Sequence, residues 1–289
     1  MLKFIMRLHI VPVAAFLVLL VTLVILAVFN SNEPSYATKT KIVPSVSESI
    51  PTLSFGVYTS DKPSEMYKKF KPMLRYIEDE IATRIEDSPQ IKLVIYKTYE
   101  LALEAFINGE VDFVRFGPAS YVIAKNRNPE VRLLAIEENK GKRRFNGIIL
   151  VREDSSFGSL NDLQGSSFAF GDENSTIGRY LSQAELVEAG ISVNELESFD
   201  YLGRHDRVVA AVLHGKYDAG AAKESTFAKY REKGLRALKS FDNVTKPWVA
   251  RSNIAEDHFV ALQDVLLNTT NLEILKTFSK SLSGFAPCV

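Results

Sequence analysis

From Pro51 onward, short apolar runs alternate with segments of helical period, and this alternation limits the fold more than any other feature of the chain. Apolar runs predict strands over 53–58, 91–95, 111–114, 131–135 and 146–151. A helix is predicted from 63 toward 85, with Met66, Phe70, Met73, Leu74, Ile77 and Ile81 on one face. A second covers 100–107 and is stopped by Asn108 and Gly109. A shorter one follows Gly117 and Pro118, through Tyr121 and Ala124. The rhythm continues with strands over 167–170, 198–202, 217–221, 235–238 and 248–250, and helices over 206–213, 225–233, 256–267 and 272–282. Such alternation builds α/β layers with mostly parallel sheets. Ligands of such folds lie beyond the carboxyl ends of strands.

One strand–turn–helix unit carries the strongest chemical signal. The 167–170 strand runs into a polar turn ending in Asn174, Ser175, Thr176 and Gly178, at the mouth of a helix that continues through Tyr180, Leu181, Ala184, Leu186 and Val187. The first helical N–H groups lack internal partners and sit at the positive end of the helix dipole. With two hydroxyl donors beside them they suit a small oxyanion such as phosphate. The alternative is an ordinary N-cap, because Ser, Thr and Asn are the preferred capping residues.

Two further loops share this design. In Phe116-Gly117-Pro118-Ala119-Ser120-Tyr121, Gly117 permits close backbone approach and Pro118 suits a first helical position. Tyr121 then faces either a cleft or the core. In Gly203-Arg204-His205-Asp206, His205 is placed to donate to an oxyanion and Arg204 to supply charge, or His205 and Asp206 cap the next helix.

Composition excludes several classes. Lys plus Arg equals Asp plus Glu, 35 each, so nothing marks the basic face of a nucleic-acid binder, and any anion site must be local. Ser175 or Thr176 with His205 and Asp206 supplies the letters of a hydrolase triad, but a His oriented by its own chain neighbour is awkward geometry. Neither a Gly-x-Ser-x-Gly elbow nor a Gly-x-x-x-x-Gly-Lys-Ser/Thr loop occurs. With a single cysteine, Cys288, an internal disulfide is impossible, and four scattered His give no zinc-site spacing. The expectation is a non-enzyme with neither metal nor cofactor.

Lys3 and Arg7 precede an uncharged apolar run from about Ile10 to Phe29, long enough to span a bilayer. Residues 1–30 are therefore expected to form either a transmembrane anchor or a signal peptide, cut after Ala37 with Ser35 and Ala37 as its small residues. In both cases the positive flank stays inside and the remainder is exported. Residues 31–51, polar and containing Pro34 and Pro44, read as a linker.

Taken in order, the Phe116-to-Ala124 segment, Gly171 to Leu181, Gly203-Arg204-His205-Asp206, Leu213 to Gly220 and Lys246 to Arg251 resemble the periplasmic phosphate/phosphite/phosphonate-binding proteins. These are the PhnD-like solute receptors of ABC transporters, and the similarity covers about residues 52–285. The resemblance implies a type II periplasmic-binding-protein fold, in which two α/β lobes close on a ligand by hinge motion. Lobe one would comprise 52–143 plus 245–289, and lobe two 144–244. It also implies a Ser-Thr-Ser run holding phosphonate oxygens at a helix start. The matching run is Ser175, Thr176 and Ile177, where the third hydroxyl is missing and the N–H groups of Ile177 and Gly178 stand in.

Tyr121 and Tyr58 match cleft tyrosines of the family, and His205 its oxyanion-contacting histidine. Of the family's two acidic residues that grip an aminophosphonate amine, Glu224 lies about one position from one slot, beside Lys223, and the other has no match. Phosphate, phosphite or a plain alkylphosphonate fits at least as well. Asp172, Glu173 and Glu224 are candidate acceptors for a protonated oxyanion, with solvated surface charge the preferred reading of all three. The expected function is an extracytoplasmic, monomeric solute-binding protein that holds its oxyanion with neutral dipoles and feeds a membrane permease. The alternatives are an anchored sensory receptor coupled to a signalling partner and, less favoured, an enzyme acting on a phosphorylated compound.

Overall fold

The computed structural model describes residues 50–287. The apolar N-terminal run, most of its linker and Cys288 lie outside the described residues. Among those described, no helix is long and apolar enough to cross a membrane.

Two mixed sheets organise the chain. The first contains β1 (Thr52–Tyr58), β2 (Gln90–Tyr96), β3 (Phe113–Arg115), β4 (Arg132–Asn139), β10 (Pro247–Ala250) and β11 (Leu282–Ala286), in the order β11-β4-β10-β3-β1-β2. The second contains β5 (Arg144–Arg152), β6 (Ser167–Phe170), β7 (Ser198–Tyr201), β8 (Ala219–Lys223) and β9 (Leu235–Val244), in the order β7-β6-β8-β5-β9. The chain passes between the sheets twice, after β4 and after β9.

Helix α1 (Pro63–Ile81) covers the first sheet. Its predicted apolar face, Met66, Phe70, Met73, Leu74, Ile77 and Ile81, is buried throughout. This stripe meets Phe55, Phe113 and Trp248, and the Phe55 and Trp248 rings stack with centroids 5.0 Å apart. Full burial of each such side chain stabilises the fold by roughly 1.5–3 kcal/mol. Helices α2 (Tyr99–Ile107) and α3 (Pro118–Arg127) pack around Val114, Phe116 and Tyr58 in a separate cluster. In the second sheet, α4 (Ser182–Glu188) and α5 (His205–Leu213) contribute Leu186, Val208, Val209 and Val212 to its two buried clusters.

The expectation of mostly parallel sheets is corrected. Pairings β1–β2, β1–β3, β6–β7 and β6–β8 are parallel, but β10 and β11 in the first sheet and β5 and β9 in the second make antiparallel ladders. The strands that follow each crossing, β5 and β10, enter antiparallel to their neighbours, while β9 keeps the sense of β8 and β11 that of β10. The final predicted helix is also shorter than expected. Helix α8 (Leu272–Phe278) stops before Ser279, and Leu282–Ala286 forms an edge strand on β4. The predicted 225–233 helix breaks into α6 (Glu224–Phe227) and a 3-10 turn, Arg231–Lys233, ended by Gly234 at φ 107°. The 256–267 helix is present as α7 (Glu256–Leu267).

Candidate functional site

Strand direction gathers the candidate residues at one edge. Strands β6, β7 and β8 are mutually parallel, and β9 runs the same way because β8 and β9 both pair antiparallel with β5. The carboxyl ends of all four, and the amino end of β5, therefore share one side of the sheet. Tyr58 and Tyr99 come from the corresponding ends of β1 and β2 in the other sheet. A small cavity of about 20 Å³ lies between these ends, lined by Tyr58, Tyr99, Ser175, Thr176, His205 and Lys223, and also by Ser60, Gly117, Pro118, Phe145, Ile177, Asn243 and Lys246. No Asp or Glu is among the lining residues.

The turn after β6 is built tightly. Thr176–Leu181 forms a π-helical turn that continues into α4, and such turns are frequent at functional sites. Ser175 is its cap: the Oγ accepts the Gly178 N–H at 2.9 Å. Ser175 is 3% exposed and also lies within hydrogen-bonding reach of the Tyr99 hydroxyl. Thr176 Oγ1 accepts the Ala119 N–H at 2.9 Å, joining this turn to the start of α3. Ser120 Oγ donates to the Asn174 carbonyl at 3.2 Å. The capping reading holds for this turn, with Ser175 as the cap, and Ser175, Thr176 and Ile177 all stand on the cavity wall.

The two tyrosines form a stacked pair. Tyr58 and Tyr99 have ring centroids 3.5 Å apart, and both are buried. The Tyr58 hydroxyl accepts the Gly117 N–H at 2.5 Å. Burial pushes the Tyr58 phenol up to about 12 and the Tyr99 phenol well above its usual value, so both remain neutral donors. Tyr99 falls just before the helix expected over 100–107 and no local pattern marks it; in the structure it is the first residue of α2, which Thr98 caps. The structure places Tyr121 elsewhere: it is half-buried against the cluster containing Tyr58 and Phe116, and it does not line the cavity.

His205 opens α5 with its N–H donating to the Ser60 carbonyl at 3.1 Å. Its ring is buried, and Nδ1 has no hydrogen-bond partner among the described residues. Burial, reinforced by the Lys223 cation, pushes its pKa down to about 3. At neutral pH it is an uncharged imidazole. Gly178 holds the turn from behind and is absent from the lining.

The acidic candidates lie away from the cavity. Glu224 is exposed on α6, Glu173 is exposed, and Asp172 accepts the Asn174 N–H at 2.9 Å outside the lining. Side chains alternate in direction along a chain leaving a strand, and here the alternation brings Lys223 rather than Glu224 to the cavity. Two lysines, Lys223 and Lys246, also line it, beside the neutral donors that the sequence led us to expect. Lys223 is ion-paired with Asp61, whose carboxyl is pushed up by burial but held far lower by that ammonium. Thr226 Oγ1 donates to Asp61 at 3.0 Å, and Lys229 pairs with Glu65 at 2.7 Å, so charge ties the two sheets' layers together beside the site. Lys246 lies 3.9 Å over the Phe145 ring. Burial, with the Arg115 cation, pushes its pKa well below the usual value.

Two α/β layers, crossed twice by the chain and enclosing a donor-lined cavity at facing strand ends, define the class of two-lobed solute-binding proteins. The family described as "ABC transporter, phosphonate, periplasmic substrate-binding protein" matches residues 55–288, and the chain belongs to it. Among its relatives, the probable ABC transporter phosphite binding protein PhnD1 of Prochlorococcus marinus is 24% identical over 235 residues, covering 75% of this chain and 76% of that protein. The phosphate-import protein PhnD of Mycolicibacterium smegmatis is 25% identical over 188 residues, which is 62% of this chain and 57% of that protein's length. In fold, the chain is similar to the crystal structure of Prochlorococcus marinus PhnD1 in complex with methylphosphonate, with a TM-score of 0.73, 22% identity, and coverage of 83% of this chain and 93% of that one.

Proposed function

We propose that the cavity binds a small phosphorus oxyanion outside the cytoplasmic membrane and that the loaded protein presents it to a permease. The carrying observation is the lining: hydroxyls, a helix start, an imidazole and two ammonium groups, with no carboxylate. Hydrogen bonds to a charged acceptor are shorter and stronger than neutral ones. Relatives that bind phosphite and import phosphate, and a similar structure holding methylphosphonate, point to the same ligand chemistry.

On this reading Ser175, Thr176, the Ile177 N–H, Tyr58 and Tyr99 hold the oxygens, and no bond is made or broken. The cavity of about 20 Å³ has room for little more than one water, so the ligand enters when the layers part. Residues 52–143 with 245–287 would move as one lobe and 144–244 as the other, about the crossings after β4 and β9. Reclosure would restore Thr176 to Ala119 and Lys223 to Asp61 and exclude water. The N-terminal apolar segment would direct export and either anchor the protein or be removed.

Calorimetric titration of the full chain with phosphate, phosphite, methylphosphonate and sulfate tests this function. At least one phosphorus compound should bind more tightly than sulfate. Binding of none, or preference for sulfate, would contradict it.

A further inference from the structure

The cavity walls beyond the 175–178 turn carry further donors. Lys223 ends β8, Asn243 lies near the end of β9, and Lys246 follows in the crossing to β10. In the order β7-β6-β8-β5-β9, the ends of β6 and β9 stand three strand spacings apart, ~14 Å. Side chains from both ends reach one cavity. The donors of β8, β9 and the following crossing therefore extend the set begun by the 175–178 turn, with Asn243 and Lys246 last in the sheet order.

The far end of that set is unmatched. Asn243 is 4% exposed, and its Nδ2 has no hydrogen-bond partner among the described residues. Lys223 is neutralised by Asp61. The Lys246 ammonium makes no direct ion pair or hydrogen bond with any described residue; it lies 3.9 Å over the Phe145 ring, and the anion that favours its charge, Glu137, is already bonded to Arg115. A buried donor without an acceptor is costly, and a half-buried cation gains from an anion placed directly against it. The same groups recur beside the site, so the cost is placed where a ligand can offset it.

We infer that this end receives a second anionic group on the ligand, a carboxylate one or two carbons from phosphorus. The inference rests on the reading that the 175–178 turn holds the phosphorus group. A carboxylate offers enough lone pairs for both the Asn243 amide and the Lys246 ammonium. An alkyl group would leave both unmatched. An aminoalkyl group would bring a third ammonium beside Lys223 and Lys246, where no acidic side chain lines the wall.

The test is calorimetric titration of the full chain with phosphonoformate, phosphonoacetate, methylphosphonate and 2-aminoethylphosphonate. The better carboxylated compound should bind about tenfold or more tighter than methylphosphonate, and 2-aminoethylphosphonate about tenfold weaker than methylphosphonate. Lys246→Gln should reduce the carboxylate preference to about threefold or less, whereas Lys246→Arg, which keeps the charge, should retain most of it. Methylphosphonate binding as tightly as both carboxylated compounds, or a preference that survives Lys246→Gln, overturns the inference alone. Binding of none of the four overturns it together with the reading beneath it.

Discussion

Gly171 and Gly178 meet backbone to backbone where β6 gives way to the π-helical turn. The Gly171 N–H donates to the Gly178 carbonyl at 2.8 Å, and a Cβ built on Gly178 would lie 2.8 Å from the Gly171 Cα. A methyl group there must displace backbone, not a flexible side chain. That contact fixes how closely the Ser175–Ile177 turn approaches the strand end, and hence where its donors point. Gly178→Ala should cost about 1–3 kcal/mol of stability by overpacking, read from urea denaturation. It should also weaken oxyanion binding by displacing the turn. A variant of unchanged stability and affinity would show that the close approach is dispensable.

Ser175 and Thr176 separate two roles of one turn. Ser175→Ala removes the acceptor for Gly178 N–H and should cost about 1 kcal/mol of stability, as loss of a cap does. Thr176→Ala removes the acceptor that Ala119 uses from the other sheet's layer. Each should weaken oxyanion binding by about 1–3 kcal/mol, the range for hydrogen bonds to charged groups. Denaturation and calorimetry on the same two proteins measure both quantities.

His205 makes stability fall in mild acid. Its folded pKa of about 3 lies below its ordinary 6.5. Above pH 6.5 both folded and unfolded chains hold it neutral and it contributes no pH dependence. As pH falls toward 3 the unfolded chain takes up a proton that the fold refuses, so stability is lost. The loss at pH 5 should be about 2 kcal/mol, from 1.36 kcal/mol per pH unit. Denaturation at pH 7 and pH 5 should show this difference in the native chain and a smaller one in His205→Gln.

Arg115 and Glu137 form a buried ion pair behind the site, with the Trp248 Nε1–H donating to Glu137 at 3.1 Å. Burial pushes the Glu137 carboxyl up, but the Arg115 guanidinium outweighs this and holds it at about 2. Glu137→Gln leaves the buried guanidinium uncompensated and should cost about 3–5 kcal/mol. A loss under 1 kcal/mol in thermal or urea denaturation would mean the charge finds another partner.

What the sequence made legible follows the range of the physics involved. The apolar stripe from Met66 to Ile81 and the Ser175–Thr176 turn are local patterns, and both stand where they were expected in the chain. The Leu282–Ala286 strand exists only because β4 offers an open edge, which no local pattern reports. Tyr99 reaches the cavity by stacking on a residue from another strand. Lys223 and Lys246 carry no signal by type, because lysine is usually solvated. Lys246 precedes Pro247 and a strand containing the chain's one Trp, but that pattern does not say which way its side chain points. Glu173 and Glu224 stand exposed, and at the end of β8 one residue of register decides whether Lys223 or Glu224 faces in.

The most direct test is a crystal structure of the full chain with the tightest-binding phosphonate. The phosphorus group should sit between the sheets with its oxygens on Ser175, Thr176 and the Ile177 N–H, beside Tyr58, Tyr99 and His205. A phosphonate bound elsewhere, with this turn still closed on Ala119 and empty, would contradict the account.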